Sequence, residues 1–326
     1  MTKSQTVTEM KKPRRKYQEF MDNPATRNIL PVAGLIVIIL LFTFLTGGKI
    51  IQPSNIQLLL SQTYMLMIAA TGVFLIMTMG CLDFSQGSML GMASIVICYL
   101  SAYSIPLAIL GGMVTGAAIG AINGFFLVKR KILSFIVTIC TMFLFRGCIA
   151  YLTTDNPVYA VGDIFSYNTI PVKLGLTVVL LLLVFFFFHF TRLGYTLKAI
   201  GAGEQAARFA GIRVDRTKWL IYILAGAITG LAAFINVIKV GSVTSTGGSM
   251  LETEILIALA LGGLPISGGA LVRFSNLVVG VLTYKVLSTG LNMLGLTTEM
   301  QQLIEGIIFL IVVAVFSDRK SLQVIK

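Results

Sequence analysis

Apolar stretches long enough to cross a bilayer recur along the chain, separated by short polar or glycine-rich punctuation. A membrane-crossing helix needs about 20 mainly apolar residues. Ten stretches are read as spans, near 28–46, 60–80, 86–104, 106–128, 132–152, 174–190, 219–238, 254–266, 276–293 and 302–317, the eighth being short and broken by glycine. Lys and Arg set the orientation, because cytoplasmic loops are enriched in them. Lys3, Lys11, Lys12, Arg14, Arg15, Lys16 and Arg27 precede the first stretch, Lys129-Arg130-Lys131 follows the fourth, and Arg319 and Lys320 follow the tenth. The segment Thr191 to Trp219, after the sixth, sets Arg192, Lys198, Arg208, Arg213, Arg216 and Lys218 against only Glu204 and Asp215. All four basic regions fall on one side if both termini are cytoplasmic, and the outer segments 47–55, 153–172, 240–253 and 294–301 then carry one lysine, Lys49. The expected fold is all-α: a polytopic membrane protein of about ten transmembrane helices, some interrupted, with cytoplasmic N- and C-termini. Its expected parts are a basic cytoplasmic segment (1–27), a single transmembrane domain (28–317) with a cytoplasmic loop at 191–218, and a cytoplasmic tail (318–326).

Composition agrees with the pattern. Residues are 56% hydrophobic and 12% charged, with a mean hydropathy of +0.90, whereas soluble domains carry about 25% charged residues. The net charge of +12 would point to nucleic acid in a soluble domain; confined to termini and short loops it reports topology, and no nucleic-acid partner is expected. Cys81, Cys98, Cys140 and Cys148 lie in or beside apolar stretches without metal-ligand spacing and read as small apolar residues. The first 27 residues are too polar and basic for a signal peptide, so the first span is expected to remain.

Gly112, Gly116, Gly120 and Gly124 recur every fourth residue in the fourth stretch. They leave a smooth helix face against which another helix can pack closely, with Asn123 beside it as the polar residue of a pore-lining alternative. Gly80-Cys-Leu-Asp-Phe-Ser85-Gln-Gly87 and Gly262-Gly-Leu-Pro-Ile-Ser267-Gly-Gly269 share the spacing Gly-x4-Ser-x-Gly. Each reads either as a surface turn or as an interrupted helix, and irregular backbone at membrane depth survives only where protein or a water-filled cavity satisfies it.

Ionisable residues inside spans cost about 2.5–3.5 kcal/mol each on insertion scales and are by default paired or functional. Asp83, Arg146, Glu252, Glu254, Lys285 and Glu305 are the candidates. Lys285 and Glu305 read either as residues that snorkel separately or as a structural pair, since adjacent antiparallel spans would set them about one helical turn apart in depth. His189, the only histidine, ends the sixth stretch as a boundary residue. The chain carries no phosphate-binding Gly-x4-Gly-Lys-Ser/Thr loop, no His-Glu-x-x-His and no Gly-x-Ser-x-Gly elbow. No catalytic or metal-binding residue and no cofactor are expected, and ATP hydrolysis would belong to another polypeptide.

Four stretches resemble the permease subunits of ribose-type ABC sugar importers: Gly80-Cys-Leu-Asp-Phe-Ser-Gln-Gly-Ser88, similar to that family's Gly-Ile-Asp-Leu-Ser-Val-Gly-Ser; Arg146-Gly147; Thr191-Arg-Leu-Gly through Ala206-Ala-Arg-Phe-Ala-Gly-Ile212; and Glu252 through Leu261-Gly-Gly263. The likeness runs over roughly residues 30–320. It implies a bacterial plasma (inner) membrane location, a second permease subunit (the same or a paralogue), an ABC ATPase subunit that binds the ATP, and an extracytoplasmic sugar-binding protein. The chain departs from the family at Ala270-Leu-Val-Arg273-Phe-Ser-Asn276, at Lys285, where a small residue is common, and at Glu305, where lysine is common.

The residues of the basic loop fit the coupling role that this resemblance implies. Gly201 and Gly203 free the chain, Glu204 to Phe209 can form a short helix with a small face at Ala206, Ala207 and Ala210, and Gly211 can end it. Gly203, Glu204, Ala206, Ala207, Ala210 and Gly211 are therefore the candidate ATPase-coupling residues, the alternative being a stretch resting on anionic lipid. Asp83, Ser85, Asn123, Glu252 and Asn292 are the candidate substrate path. The expected function is import of a pentose- or hexose-type monosaccharide by alternating access. Open alternatives are an ABC permease for a nucleoside or furanosyl signalling molecule, and an ion-coupled carrier working alone.

Overall fold

The computed structural model describes residues 24–316; the basic residues of 1–23, with Arg319 and Lys320, lie outside the described residues. Twelve described helices run in the order α1 (Pro24–Leu45), α2 (Pro53–Thr78), α3 (Gln86–Ser101), α4 (Ile105–Lys129), α5 (Ser134–Leu152), α6 (Ile170–Phe190), α7 (Arg192–Ala202), α8 (Glu204–Phe209), α9 (Val214–Val240), α10 (Leu251–Leu261), α11 (Phe274–Met293) and α12 (Thr298–Phe316). Each of the ten apolar stretches coincides with a helix, and α2, α4, α5, α6, α9 and α11 are long and apolar enough to cross a membrane. The protein is thus an all-α, polytopic membrane protein. α10 has 11 residues and α3 has 16, and both adjoin a glycine-rich break.

Local chemistry sets several ends. Proline opens α2, α4 and α6, where a missing N–H costs nothing. The Ser104 hydroxyl accepts from the Leu107 amide to cap α4, and α9 stops at Gly241, which takes a left-handed φ of 78°. α2, α3 and α9 form the interior, with Phe74, Ile97, Tyr222 and Phe234 almost wholly buried. α6 instead turns Leu182, Phe186, Phe187 and Phe190 outward, as a lipid-facing helix does.

The glycine stripe is a packing seam. A Cβ at Gly116 would meet the Gly226 carbonyl, one at Gly120 the Tyr222 carbonyl, and one at Gly124 the Trp219 side chain and backbone. Gly226 and Gly230 on α9 answer Gly116 and Gly112 in the same way. The two helices therefore touch backbone to backbone, as small-xxx-small interfaces allow. Asn123 beside the stripe is fully buried and lines no open pore.

The one β feature among the described residues joins two segments expected to be outer loops. β1 (Val158–Tyr159) pairs antiparallel with β2 (Ser242–Val243), Val158 opposite Val243. At the opposite end lies the 191–213 segment, where the hydrogen bond from Arg208, with a smaller contribution from Lys131, lowers the Asp215 carboxyl pKa, and burial, with a smaller contribution from Arg273, lowers that of Lys198.

Candidate functional site

The basic segment folds as two helices held to the start of α9. Thr191 caps α7 by accepting from the Leu193 amide. Gly194 fits against the Phe188 carbonyl, where a Cβ would collide, so α7 turns sharply back on the end of α6. Lys198 lies over the Phe188 ring, 4.9 Å from its centroid. Burial, helped by Arg273, depresses the Lys198 pKa.

α8 covers Glu204–Phe209, and Gly211 follows with φ 82°. It is fastened by charge. Arg208 pairs with Glu204 at 2.9 Å and with Asp215, and Lys218 reaches Glu204 at 2.6 Å. Burial pushes the Glu204 carboxyl up, but hydrogen bonds from Lys218 and Arg208 outweigh it and hold the group below the usual range. The hydrogen bond from Arg208 holds Asp215 down in the same way. Two of the six cations are thus spent inside the segment.

The outward face of α8 differs from the expected one. Ala207 is buried against the protein, while Ala206 and Ala210 are exposed and Phe209 is 91% exposed. Ala206, Phe209 and Ala210 stand in i, i+3, i+4 relation and so share one face. Phe209 was missed because the charges of Glu204 and Lys218 decide which side turns inward, and that pairing spans 14 positions.

The two glycine breaks meet each other beneath α7. The Gly269 amide donates to the Thr78 carbonyl at 3.0 Å. A Cβ at Gly80 would come within 2.7 Å of the Ser267 carbonyl oxygen, and one at Gly201 would strike the Thr78 carbonyl. Asn276 caps α11 by accepting from the Arg273 amide at 2.8 Å and donates to the Gly262 carbonyl at 2.6 Å. The 191–213 segment and both breaks therefore share one tight junction.

Three of the five expected path residues form one sealed cluster. Asp83 Oδ1 accepts from the Ser85 amide at 2.9 Å and hydroxyl at 2.6 Å, Oδ2 accepts from Gln86 Nε2 at 2.7 Å, and Asn123 Nδ2 donates to the Ser85 hydroxyl at 2.8 Å. The Thr229 hydroxyl donates to Gln86 Oε1. All five side chains are at most 1% exposed, so the cluster ties α3, α4 and α9 together and opens onto no path in this conformation. Gln86 and Thr229 were missed, since a lone amide and threonine on apolar helices carry no local signal.

Glu252 pairs with Arg146 at 2.5 Å, and Arg146 also reaches the Ser249 hydroxyl at 3.3 Å. Glu252 Oε2 and Arg146 Nε are buried without a partner. Asn292 is exposed near the C-terminal end of α11. The expected Lys285–Glu305 pair is not formed. Lys285 reaches Glu254 Oε2 at 3.0 Å on the first turn of α10, and Glu305 accepts from the Tyr284 hydroxyl at 3.2 Å. The reason is that α10 lies against α11 and offers Lys285 a carboxylate of its own. Among the described residues, no group of three or more His, Cys, Asp or Glu is arranged to hold a metal. His189 stacks on Phe185, ring centroids 5.4 Å apart.

Residues 55–313 match the family described as "Branched-chain amino acid transport system / permease component". The chain is 33% identical to the ribose import permease protein RbsC of Bacillus subtilis over 301 residues, 89% of this chain and 92% of that protein. It is 26% identical to the xylose transport system permease protein XylH of Escherichia coli (89% of this chain, 91% of that protein) and 28% identical to the D-allose transport system permease protein AlsC of the same organism (87% and 89%). No solved structure matches significantly. With its apolar helices and this likeness over most of its length, the chain belongs to that transport-system permease family and is a multi-pass protein of the bacterial inner membrane.

Proposed function

We propose that the protein is the membrane-spanning permease subunit of an ATP-binding-cassette importer, passing a monosaccharide from an extracytoplasmic binding protein to the cytoplasm by alternating access. The relatives' names supply the sugar: ribose, xylose and allose, in preference to the amino acids of the family description. In this reading, residues 28–317 form one transmembrane domain of about ten crossings, with 1–27 and 318–326 cytoplasmic. A second permease subunit completes the pore. The chain needs no cofactor of its own, because ATP is bound by the partner ATPase.

The observation that carries the reading is α8. It is clamped by Arg208, Glu204, Asp215 and Lys218, yet it presents Phe209, 91% exposed, between Ala206 and Ala210. A rigid helix with a bare aromatic on its outer face suits a groove on a soluble partner. Behind it, Gly203 and Gly211 act as hinges, and the contact of Gly201 with Thr78 and Gly269 carries movement to the two breaks. Asp83, Ser85, Asn123, Glu252 and Asn292 remain the proposed path only in a conformation in which that junction has shifted.

Co-expression with the ATPase subunit tests the assignment. Phe209→Glu should leave membrane insertion unchanged and lose the ATPase subunit on co-purification, while Tyr195→Glu, an exposed aromatic on α7, serves as the surface control. Equal retention of the ATPase by Phe209→Glu and wild type would remove α8 as the contact.

A further inference from the structure

On the β1–β2 side of the molecule, α3, the end of α9 and the loop after β2 enclose a cavity of about 200 Å³. Gly91, Ser94, Asn236, Ser242, Thr244 and Gly248 line it. None belongs to the expected path. At roughly 30 Å³ per water the volume equals about six or seven waters, the scale of one small sugar ring.

The walls are built. Gly87, Gly91 and Ser94 follow one face of α3 at i, i+4 and i+7. A Cβ at Gly91 would come within 2.7 Å of the Gly247 carbonyl oxygen, and one at Gly248, where φ is 75°, would strike the Gly87 carbonyl. The loop is thereby seated on the helix, with backbone forming part of the wall.

One polar group in that wall is left without a partner. Ser88 and Ser101, the other serines of α3, donate to carbonyls of their own chain at 2.8 and 2.7 Å. The Ser94 hydroxyl is fully buried and has no hydrogen-bond partner. A buried hydroxyl left unpaired is costly, and a ligand entering the cavity can relieve that cost. The lining holds amide and hydroxyl groups, backbone and the two small apolar side chains Val240 and Val243, with no ionisable and no aromatic side chain. A charged ligand would find no countercharge there, whereas a neutral polyol finds donors and acceptors on several sides.

We infer that this cavity is a monosaccharide subsite of the permease itself, with Ser94, Asn236, Ser242 and Thr244 as its hydrogen-bonding groups. The inference rests on the proposed sugar import. Lacking a stacking platform and fixed charge, the subsite binds weakly and releases quickly, as a waypoint must.

The test uses the assembled importer in proteoliposomes with labelled D-ribose, D-xylose and D-allose, each at saturating binding protein. Ser94→Leu removes the hydroxyl and adds apolar bulk at the cavity wall, and should abolish uptake of the transported sugar. Thr244→Val keeps side-chain shape on an exposed loop residue and should slow uptake about two- to tenfold, the effect of one lost hydrogen bond. Both variants are judged as monodisperse, fully assembled complexes. Wild-type uptake with unchanged rates in both variants overturns the subsite alone. Absence of monosaccharide uptake by wild type overturns the functional reading and the subsite with it.

Discussion

Replacing Gly116 by alanine probes the seam on which the helical core depends. A Cβ there would overlap the Gly226 carbonyl and lie 3.1 Å from the Gly230 nitrogen. Both neighbours are backbone of α9, so no side chain can rotate away and the two helices must separate. Overpacking of this kind costs about 1–3 kcal/mol. Separation also loosens Gly112 and Gly120, which meet the same helix, and in a membrane close packing is a main source of helix association. Gly175 on α6 is the control, since a Cβ there meets nothing within 4 Å and alanine gains about 0.5–1 kcal/mol over glycine in a helix. Thermal unfolding of purified protein in detergent, followed by loss of the monodisperse species, reads the difference. Gly116→Ala should unfold several degrees below wild type, and Gly175→Ala at or above it. Equal stability of the two variants would refute the backbone-to-backbone seam.

Arg146→Ala should destabilise the protein by about 2–3 kcal/mol, below the roughly 3–5 kcal/mol of breaking a fully buried pair because the arginine side chain is 32% exposed while Glu252 is only 7% exposed; exchanging the two residues should recover part of the loss in the same thermal assay. Asp83→Ala leaves the Ser85 amide and Gln86 side chain without their acceptor, at about 1–3 kcal/mol per buried group, whereas Asp83→Asn keeps one acceptor and should cost less; detergent stability of the two variants reads the order. The carboxyls of Glu204 and Asp215 are both depressed in the folded protein. Their contribution to holding α8 is therefore complete above the unfolded values near pH 4 and lost only as pH falls through the lower folded values. Hydrogen exchange of residues 204–218, corrected for intrinsic rate, should be flat from pH 7 to about 5 and rise below about 4; a rise near pH 6 would contradict the ion-pair clamp.

Local patterns were legible where the physics is local. The apolar stretches announced the helices, the four-residue glycine spacing announced the close-packed seam, and glycines bracketing Glu204–Phe209 announced α8. Pairings between distant residues were not legible. Lys285 could be seen to need an acid, but the choice of Glu254 over Glu305 depends on which helix lies beside α11. Asp83 could be flagged as a buried charge, but its Gln86–Thr229 support and closure by Asn123 arise only when α3, α4 and α9 meet. The β1–β2 pair joins residues about eighty positions apart and has too few residues to leave an alternating pattern. Ala207 lost its expected outward role for the same reason, because distant Lys218 draws Glu204 and its helix inward.

The most direct measurement of the central claim is uptake of labelled monosaccharide by proteoliposomes holding the permease alone, with its ATPase subunit, and with both the ATPase subunit and the binding protein. Accumulation only in the complete assembly, and only with ATP inside or outside on the ATPase side, is the predicted result. Accumulation by the permease alone, driven by an ion gradient, would contradict the account and make the protein a self-sufficient carrier.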